Sequence, residues 1–161
     1  MLFDLAIDSK LRGCDLVKIK IGDVVAGDGI RNRATMVQEK TNRPVQFELT
    51  ADVRATLLAW LERRGGSTNN YLFPSRVNPT DHMSTSQYAR LVDEWVTAIG
   101  LRKSEYGTHS LRLTIAAMMY RATNNIRAIQ ILLGHTKSEN TVRYLGVDID
   151  DALLPGERTE I

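Results

Sequence analysis

The apolar residues of this chain change their spacing at Thr50, and that change determines the class of fold the chain can form. Before Thr50, the segments RNRATMVQ and PVQFELT alternate polar and apolar residues, as half-buried strands do. After it, Val53, Leu57 and Leu61 recur at helical spacing. The order predicts an α+β fold, mainly helical, in which helices enclose a small sheet.

The alternating segments predict a three-stranded antiparallel sheet at one edge of the fold. KIKIGDVV supplies the first strand and AGDG a turn, and the other two strands are joined by a hairpin through EKTNR. Val45, Phe47 and Leu49 then share the buried face. Lys40 lies close to the tip of the hairpin.

Helices are predicted for most of the remaining chain. LFDLAIDS forms a short helix and GCDLVK a helical turn, and further helices are expected near 51–64, 84–99, 109–122, 125–133 and 137–145. Gly134 occupies the position of a left-handed C-terminal cap. Thr136, followed three residues later by Glu139, has the pattern of a capping box that starts the last helix.

Length and composition indicate one globular domain, residues 1–161, with 43% hydrophobic residues and a real core. The longest apolar run is far too short for a membrane span. Cys14 is the single cysteine and cannot form an internal disulfide, so a reducing, cytoplasmic setting fits best. The net charge of +2 permits a nucleic-acid partner without demanding one.

The polar residues that stand out offer hydrogen-bond donors and contain no paired carboxylates. They are an arginine beside a glycine, a lysine on the hairpin, a histidine and an arginine three apart on one helix face, and a histidine nine positions before a tyrosine: Arg12, Lys40, His109, Arg112, His135 and Tyr144. Such a set suits a phosphate, because a guanidinium matches two phosphate oxygens. Taken singly, each has an ordinary explanation, such as a surface ion pair, a solvated hairpin tip or a core aromatic.

The order and identity of these residues closely resemble the catalytic domain of the tyrosine recombinases, the phage-integrase family. LRGCDLVKIKIGDV is similar to the family's first arginine box and EKTNRPVQFELT to its lysine hairpin. THSLRLTIAA is similar to its His-x-Leu-Arg box and LLGHTKSENTVRYL to its final box. Any one of these boxes is weak evidence, whereas four in the right order and spacing are strong.

The resemblance implies a catalytic set with these six residues and Tyr144 as the nucleophile. Tyr144 would attack a DNA phosphodiester, forming a 3′-phosphotyrosyl link and releasing a 5′-hydroxyl. The two arginines would hold the non-bridging oxygens, and Lys40 would protonate the leaving oxygen. His109 would accept the phenolic proton or bind the phosphate, His135 would donate to the phosphate, and Asp15 would support the first arginine. No metal or nucleotide cofactor is implied, because the phosphotyrosine conserves the bond energy.

The resemblance also implies partners and an organisation. Family members usually carry an N-terminal DNA-clamping domain and a further first helix, and the resemblance leads us to expect a catalytic domain truncated at its N-terminus, with Met1 inside the second helix. We expect weak, salt-sensitive binding to double-stranded DNA, self-association into a tetramer on DNA, and a role in integration or excision of a mobile element. The alternatives are a catalytically silent DNA-binding remnant or partner, and a relaxing enzyme like the type IB topoisomerases. Residues 152–154 are expected either to anchor a tail on a neighbouring subunit or to belong to a frayed terminus.

Overall fold

The computed structural model describes residues 1–145, apart from the side chain of Tyr144. The elements follow one another in the order α1 (Leu2–Ser9), α2 (Gly13–Leu16), α3 (Ile21–Val24), β1 (Val25–Ala26), β2 (Gly29–Ile30), β3 (Arg33–Val37), β4 (Pro44–Glu48), α4 (Ala51–Arg64), α5 (Thr85–Ala98), α6 (Thr108–Thr123), α7 (Ile126–Leu133) and α8 (Ser138–Leu145). The α+β, mainly helical class is therefore confirmed. Within the described part of the chain, no helix combines the length and apolar content that a bilayer span requires.

The two longest N-terminal helices begin where the sequence predicts, because each has a local capping side chain. Thr50 Oγ1 accepts a hydrogen bond from the Val53 N–H at 3.4 Å and so caps α4. Ser84 Oγ accepts one from the Gln87 N–H at 3.1 Å and caps α5. Arg64 lies in the last turn of α4, where a cation complements the negative end of the helix dipole.

The strands differ from the prediction in their number and pairing. Residues 25–48 form two separate two-stranded antiparallel sheets, β1 with β2 and β3 with β4, and the predicted single sheet of three strands is wrong. The hairpin of β3 and β4 has the predicted faces, since Val45, Phe47 and Leu49 are all buried. This hairpin carries Lys40 in its turn.

The prediction of a strand at KIKIGDVV is wrong, because half of this segment forms the short helix α3, which a side-chain hydrogen bond starts. The Asp23 carboxylate accepts the backbone N–H of Lys20 at 2.8 Å and starts α3. The N–H of Ile21 donates to the carbonyl of Asn70 at 2.9 Å, so the segment is bound to the loop that precedes α5. Its alternation reflects burial of single apolar residues and not a ladder of paired strands.

The buried apolar residues form two clusters. The larger one lies between the hairpins and the helices α1 to α5. The smaller one consists of Ala116 from α6 with Ile129 and Leu133 from α7, and Leu145 of α8 packs against it. The three C-terminal helices are therefore held together by their own small core.

The turn after α7 packs directly against the β3–β4 hairpin. Gly134 ends α7 with φ 62° and ψ 35°, the left-handed cap that the sequence predicts. A Cβ atom added there would lie 2.6 Å from Val45 Cγ2 and 2.7 Å from Gln38 Oε1. Both the backbone conformation and the close approach therefore require glycine.

The start of the last helix differs slightly from the prediction. The last helix, α8, begins at Ser138, one residue after the predicted start at 137, and the capping box predicted at Thr136 and Glu139 stays a prediction. The expected anchor at residues 152–154 lies outside the described residues.

Candidate active site

Arg12 lies at the turn that leads into α2. It is the N-cap residue of this helix, with an extended backbone at φ −68° and ψ 150°, and its Nη1 donates to Gln38 Oε1 at 2.8 Å. A Cβ atom added at the next residue, Gly13, would lie 3.1 Å from the ring of Tyr88. The glycine lets α2 lie closely against α5, and Gln38 fixes the guanidinium beside the hairpin.

Gln38 connects both predicted arginines. Its side chain is fully buried, and its Oε1 accepts hydrogen bonds from Arg12 and from Thr41 Oγ1 at 3.0 Å. Its Nε2 donates to the carbonyl of Leu133 at 3.3 Å. Nη2 of Arg112, a residue only 4% exposed, donates to the same carbonyl. Two cations from distant parts of the chain are thus joined through one amide and one carbonyl.

His135 lies beside these arginines as a neutral imidazole. Burial, followed by the positive charges of Arg112 and Arg12, lowers the pKa of His135 from 6.5 to about 4. Its Nδ1 lies 3.0 Å from Oγ1 of Thr141, which is fully buried on α8. At neutral pH the ring therefore carries one N–H donor and one acceptor nitrogen.

The backbone around His135 is held by the preceding helix. The His135 N–H donates to the carbonyl of Gln130 at 3.0 Å, and Gln130 Nε2 donates to the carbonyl of His135 at 3.2 Å. Gln130 Oε1 in turn accepts from Arg127 Nη1 at 2.9 Å. Gln130 thus fixes the turn that presents the histidine to the arginines.

The remaining three predicted residues lie on elements that border this cluster. Lys40 is exposed in the turn between β3 and β4, two residues from Gln38. His109 is exposed in the first turn of α6, one turn before Arg112 on the same helix. Tyr144 lies on α8, which contacts α6 and α7, and its side chain is outside the described part of the protein. The structure therefore brings Arg12, Arg112 and His135 together, and the roles of all six predicted residues stay predictions.

A second group of polar residues anchors the hairpin next to Arg12. Asp15, the predicted structural support, is 1% exposed and accepts the backbone N–H of Glu39 at 2.9 Å. The Glu39 carboxylate bonds to Lys18 Nζ at 2.8 Å. With Cys14 these acids bring three possible metal ligands within 4.8 Å of one another. Burial, and then the carboxylates of Asp15 and Glu39, raise the pKa of the Cys14 thiol, which disfavours the thiolate that a metal needs. We therefore assign this group to holding the hairpin.

Two residues of the cluster, Gln38 and Thr141, are missing from the sequence prediction. A signal for Gln38 exists, because the alternation of β3 continues through Ala34 and Met36 to Gln38 on the inward face. A polar residue at an inward position needs a partner, and here it stands two residues before the predicted lysine. The sequence contains no comparable signal for Thr141.

Comparison with known proteins identifies the family of this chain. The sequence profile described as the phage integrase family matches residues 1–150. The probable integrase/recombinase YoeC of Bacillus subtilis is 30% identical over 157 residues, which cover 92% of this chain and 77% of that relative. The tyrosine recombinase XerC of Caldanaerobacter subterraneus subsp. tengcongensis is 30% identical over 154 residues, which cover 91% of this chain and 40% of XerC. The chain thus spans most of one relative and less than half of the other.

A solved structure has the same fold. The XerH site-specific recombinase, bound to its difH substrate in a pre-cleavage complex, superposes with a TM-score of 0.79 at 19% identity, over 98% of this chain and 44% of the XerH chain. Since the profile matches residues 1–150 and the fold agrees with a recombinase, this chain belongs to the phage integrase family, as its four sequence boxes predict.

Proposed function

We propose that this chain is the catalytic domain of a tyrosine recombinase that breaks and rejoins double-stranded DNA, in the integration or excision of a mobile element. The observation that supports this most is the meeting of Arg12 and Arg112 at Gln38 and the Leu133 carbonyl, beside a neutral His135. Two guanidinium groups held in this way suit one phosphate. We further propose that the chain acts as a tetramer on DNA, as the family resemblance implies, and that it does so in the cytoplasm, the reducing setting that its single cysteine favours.

In the proposed reaction Tyr144 attacks a phosphodiester of the DNA strand. Its phenolic oxygen bonds to phosphorus while the bond from phosphorus to O5′ breaks, so the 3′ end stays on the tyrosine and a 5′-hydroxyl leaves. A phenol is a weak nucleophile at neutral pH because its pKa is about 10, and His109 accepts its proton. Lys40 gives a proton to the leaving O5′. Attack of a 5′-hydroxyl on the phosphotyrosine reverses these steps and rejoins the strand.

The arginines and His135 stabilise the charge that develops on the phosphate. Arg12 and Arg112 bind the non-bridging oxygens, which carry most negative charge in the pentacoordinate state. We assign the His135 proton to Nε2, with the Thr141 hydroxyl donating to Nδ1. In this tautomer the neutral ring donates a hydrogen bond to a phosphate oxygen without adding a third cation.

Covalent capture tests this function without knowledge of the target sequence. The chain is incubated with a pool of random duplexes, each nicked so that the released 5′-hydroxyl fragment diffuses away, and the adducts are isolated on a denaturing gel. We expect an adduct whose DNA yields the preferred sequence and whose modified peptide contains Tyr144. Tyr144→Phe should abolish it, while Tyr71→Phe, which removes the same hydroxyl from a loop tyrosine, should not.

The other outcomes separate the alternatives. Retention of duplex DNA on a filter without any adduct would refute the cleavage activity and identify a silent DNA-binding protein. Relaxation of supercoiled plasmid without sequence preference would identify a topoisomerase-like enzyme. An adduct that persists in Tyr144→Phe would show that another residue is the nucleophile.

A further inference from the structure

We propose that Gln38 is a positioning residue that holds Lys40 in register with the two arginines, an inference that rests on the function proposed above. One buried amide joins three parts of the site that come from different elements. Its Oε1 accepts hydrogen bonds from Arg12 Nη1 and Thr41 Oγ1, and its Nε2 donates to the carbonyl of Leu133. Gln38 thereby connects the first arginine, the lysine turn and the end of α7.

The chemistry of this position requires an amide of this length. An amide oxygen has two acceptor sites, and here both are occupied, by Arg12 and by Thr41. The amide nitrogen must donate, because its partner at Leu133 is a carbonyl. A glutamate would place an oxygen against that carbonyl, and a methionine would fill the volume without making any of the three bonds.

The link from Gln38 to Lys40 runs through the turn. The Gln38 N–H donates to the Arg43 carbonyl at 2.9 Å, and the Gln38 carbonyl accepts the Asn42 N–H at 2.8 Å, which closes the turn around Lys40. The bond from Thr41 Oγ1 to Gln38 Oε1 then ties the top of the turn to the buried amide. Because a lysine stem is long and flexible, fixing the backbone beside it limits the space that its ammonium explores.

The first test uses the chain alone and measures hydrogen exchange of the Asn42 amide. We compare Gln38→Met with Gln46→Met, the same change at an exposed position of β4. Exchange should be about three- to tenfold faster in Gln38→Met, the factor expected for one net hydrogen bond, and unchanged in the control. Equal exchange in the unsubstituted chain and in Gln38→Met would overturn the proposal.

The second test asks whether Gln38 acts through the proposed general acid. Cleavage rates are measured on the captured DNA sequence and on the same DNA with sulfur in place of the leaving O5′. A thiol has a pKa of about 8.5, so sulfur leaves without the proton that Lys40 supplies. On the oxygen substrate we expect Gln38→Met to be at least about tenfold slower, a part of the usual gain from general acid catalysis. On the sulfur substrate both Gln38→Met and Lys40→Ala should recover to within about twofold of the unsubstituted chain.

The remaining outcomes of the sulfur experiment contradict either this proposal or the proposed function. An equal loss on both substrates shows that Gln38 does not act through Lys40 and overturns the proposal. Failure of sulfur to rescue Lys40→Ala shows that Lys40 is not the acid and overturns it too. If the unsubstituted chain cleaves neither substrate, the proposed function itself fails. Should Gln38→Met not fold, Thr41→Val breaks the same link from its other end, at the half-buried Thr41, and the same rescue by sulfur is expected.

Discussion

Replacing Gly134 with alanine tests how closely the hairpin packs against the turn between α7 and α8. The residue has φ 62°, a conformation that costs an alanine about 1–2 kcal/mol. The new Cβ would also lie 2.6 Å from Val45 Cγ2 and 2.7 Å from Gln38 Oε1, so one of them must move. Overpacking of a buried site costs about 1–3 kcal/mol, and we therefore expect Gly134→Ala to lower the free energy of unfolding by about 2–5 kcal/mol.

Gly27→Ala is the matched control for this measurement. Gly27 has a similar φ of 58°, but no atom lies within 4 Å of an added Cβ. It should lose only the conformational part, about 1–2 kcal/mol, in urea unfolding followed by circular dichroism. The difference between the two variants then measures the steric part.

A double substitution assigns the steric part to one contact. Val45→Ala removes the methyl group that the new Cβ meets first, so the cost of Gly134→Ala should shrink in the Val45→Ala background. Equal losses for Gly134→Ala and Gly27→Ala would refute the close packing of hairpin and turn. That packing is the basis for placing Gln38 between the arginines.

Two further predictions concern pH and salt. The pKa of His135 is lowered to about 4 in the folded chain, so the unfolded chain binds the proton more readily. The contribution of this residue to stability is therefore present above pH 6.5 and is lost as the pH falls to 4. His135→Gln should therefore lose less stability between pH 7 and 4 in urea titrations, and parallel curves for the two proteins would contradict this. Duplex binding, measured by fluorescence anisotropy, should fall with a slope of about 0.9 in log affinity against log salt per phosphate contacted, and nanomolar binding that ignores salt would refute it.

Helix boundaries could be predicted from the sequence because their causes are local. Thr50 and Ser84 cap the helices that follow them. Gly134 ends α7 through backbone hydrogen bonds to carbonyls only a few residues before it. The segment KIKIGDVV was harder, because its alternation competes with the hydrogen bond from Lys20 to Asp23 that starts α3. Alternating apolar residues indicate which side chains are buried, but a segment becomes part of a sheet only where a neighbouring strand pairs with it.

The candidate site could be predicted in part for a related reason. Arg12, Arg112 and His135 are recognisable from the residues around them, and the structure brings these three together. The amide of Gln38 bonds to a carbonyl 95 residues away, and no local pattern contains that contact. Only the folded chain places the Leu133 carbonyl beside Gln38, so the role of this glutamine can be recognised only from the structure.

The carbonyl of Leu133, shared by Gln38 and Arg112, also has an electrostatic consequence. It lies in the last turn of α7, where the aligned peptide dipoles amount to about half a negative charge. Anions favour the opposite end of a helix, so a helix C-terminus beside a phosphate site is ordinarily unfavourable. Here the Arg112 guanidinium and the Gln38 amide donate hydrogen bonds to the Leu133 carbonyl and so offset the negative charge at this end of the helix. The same arginine that is proposed to bind the phosphate thus shields that phosphate from the helix dipole that would repel it.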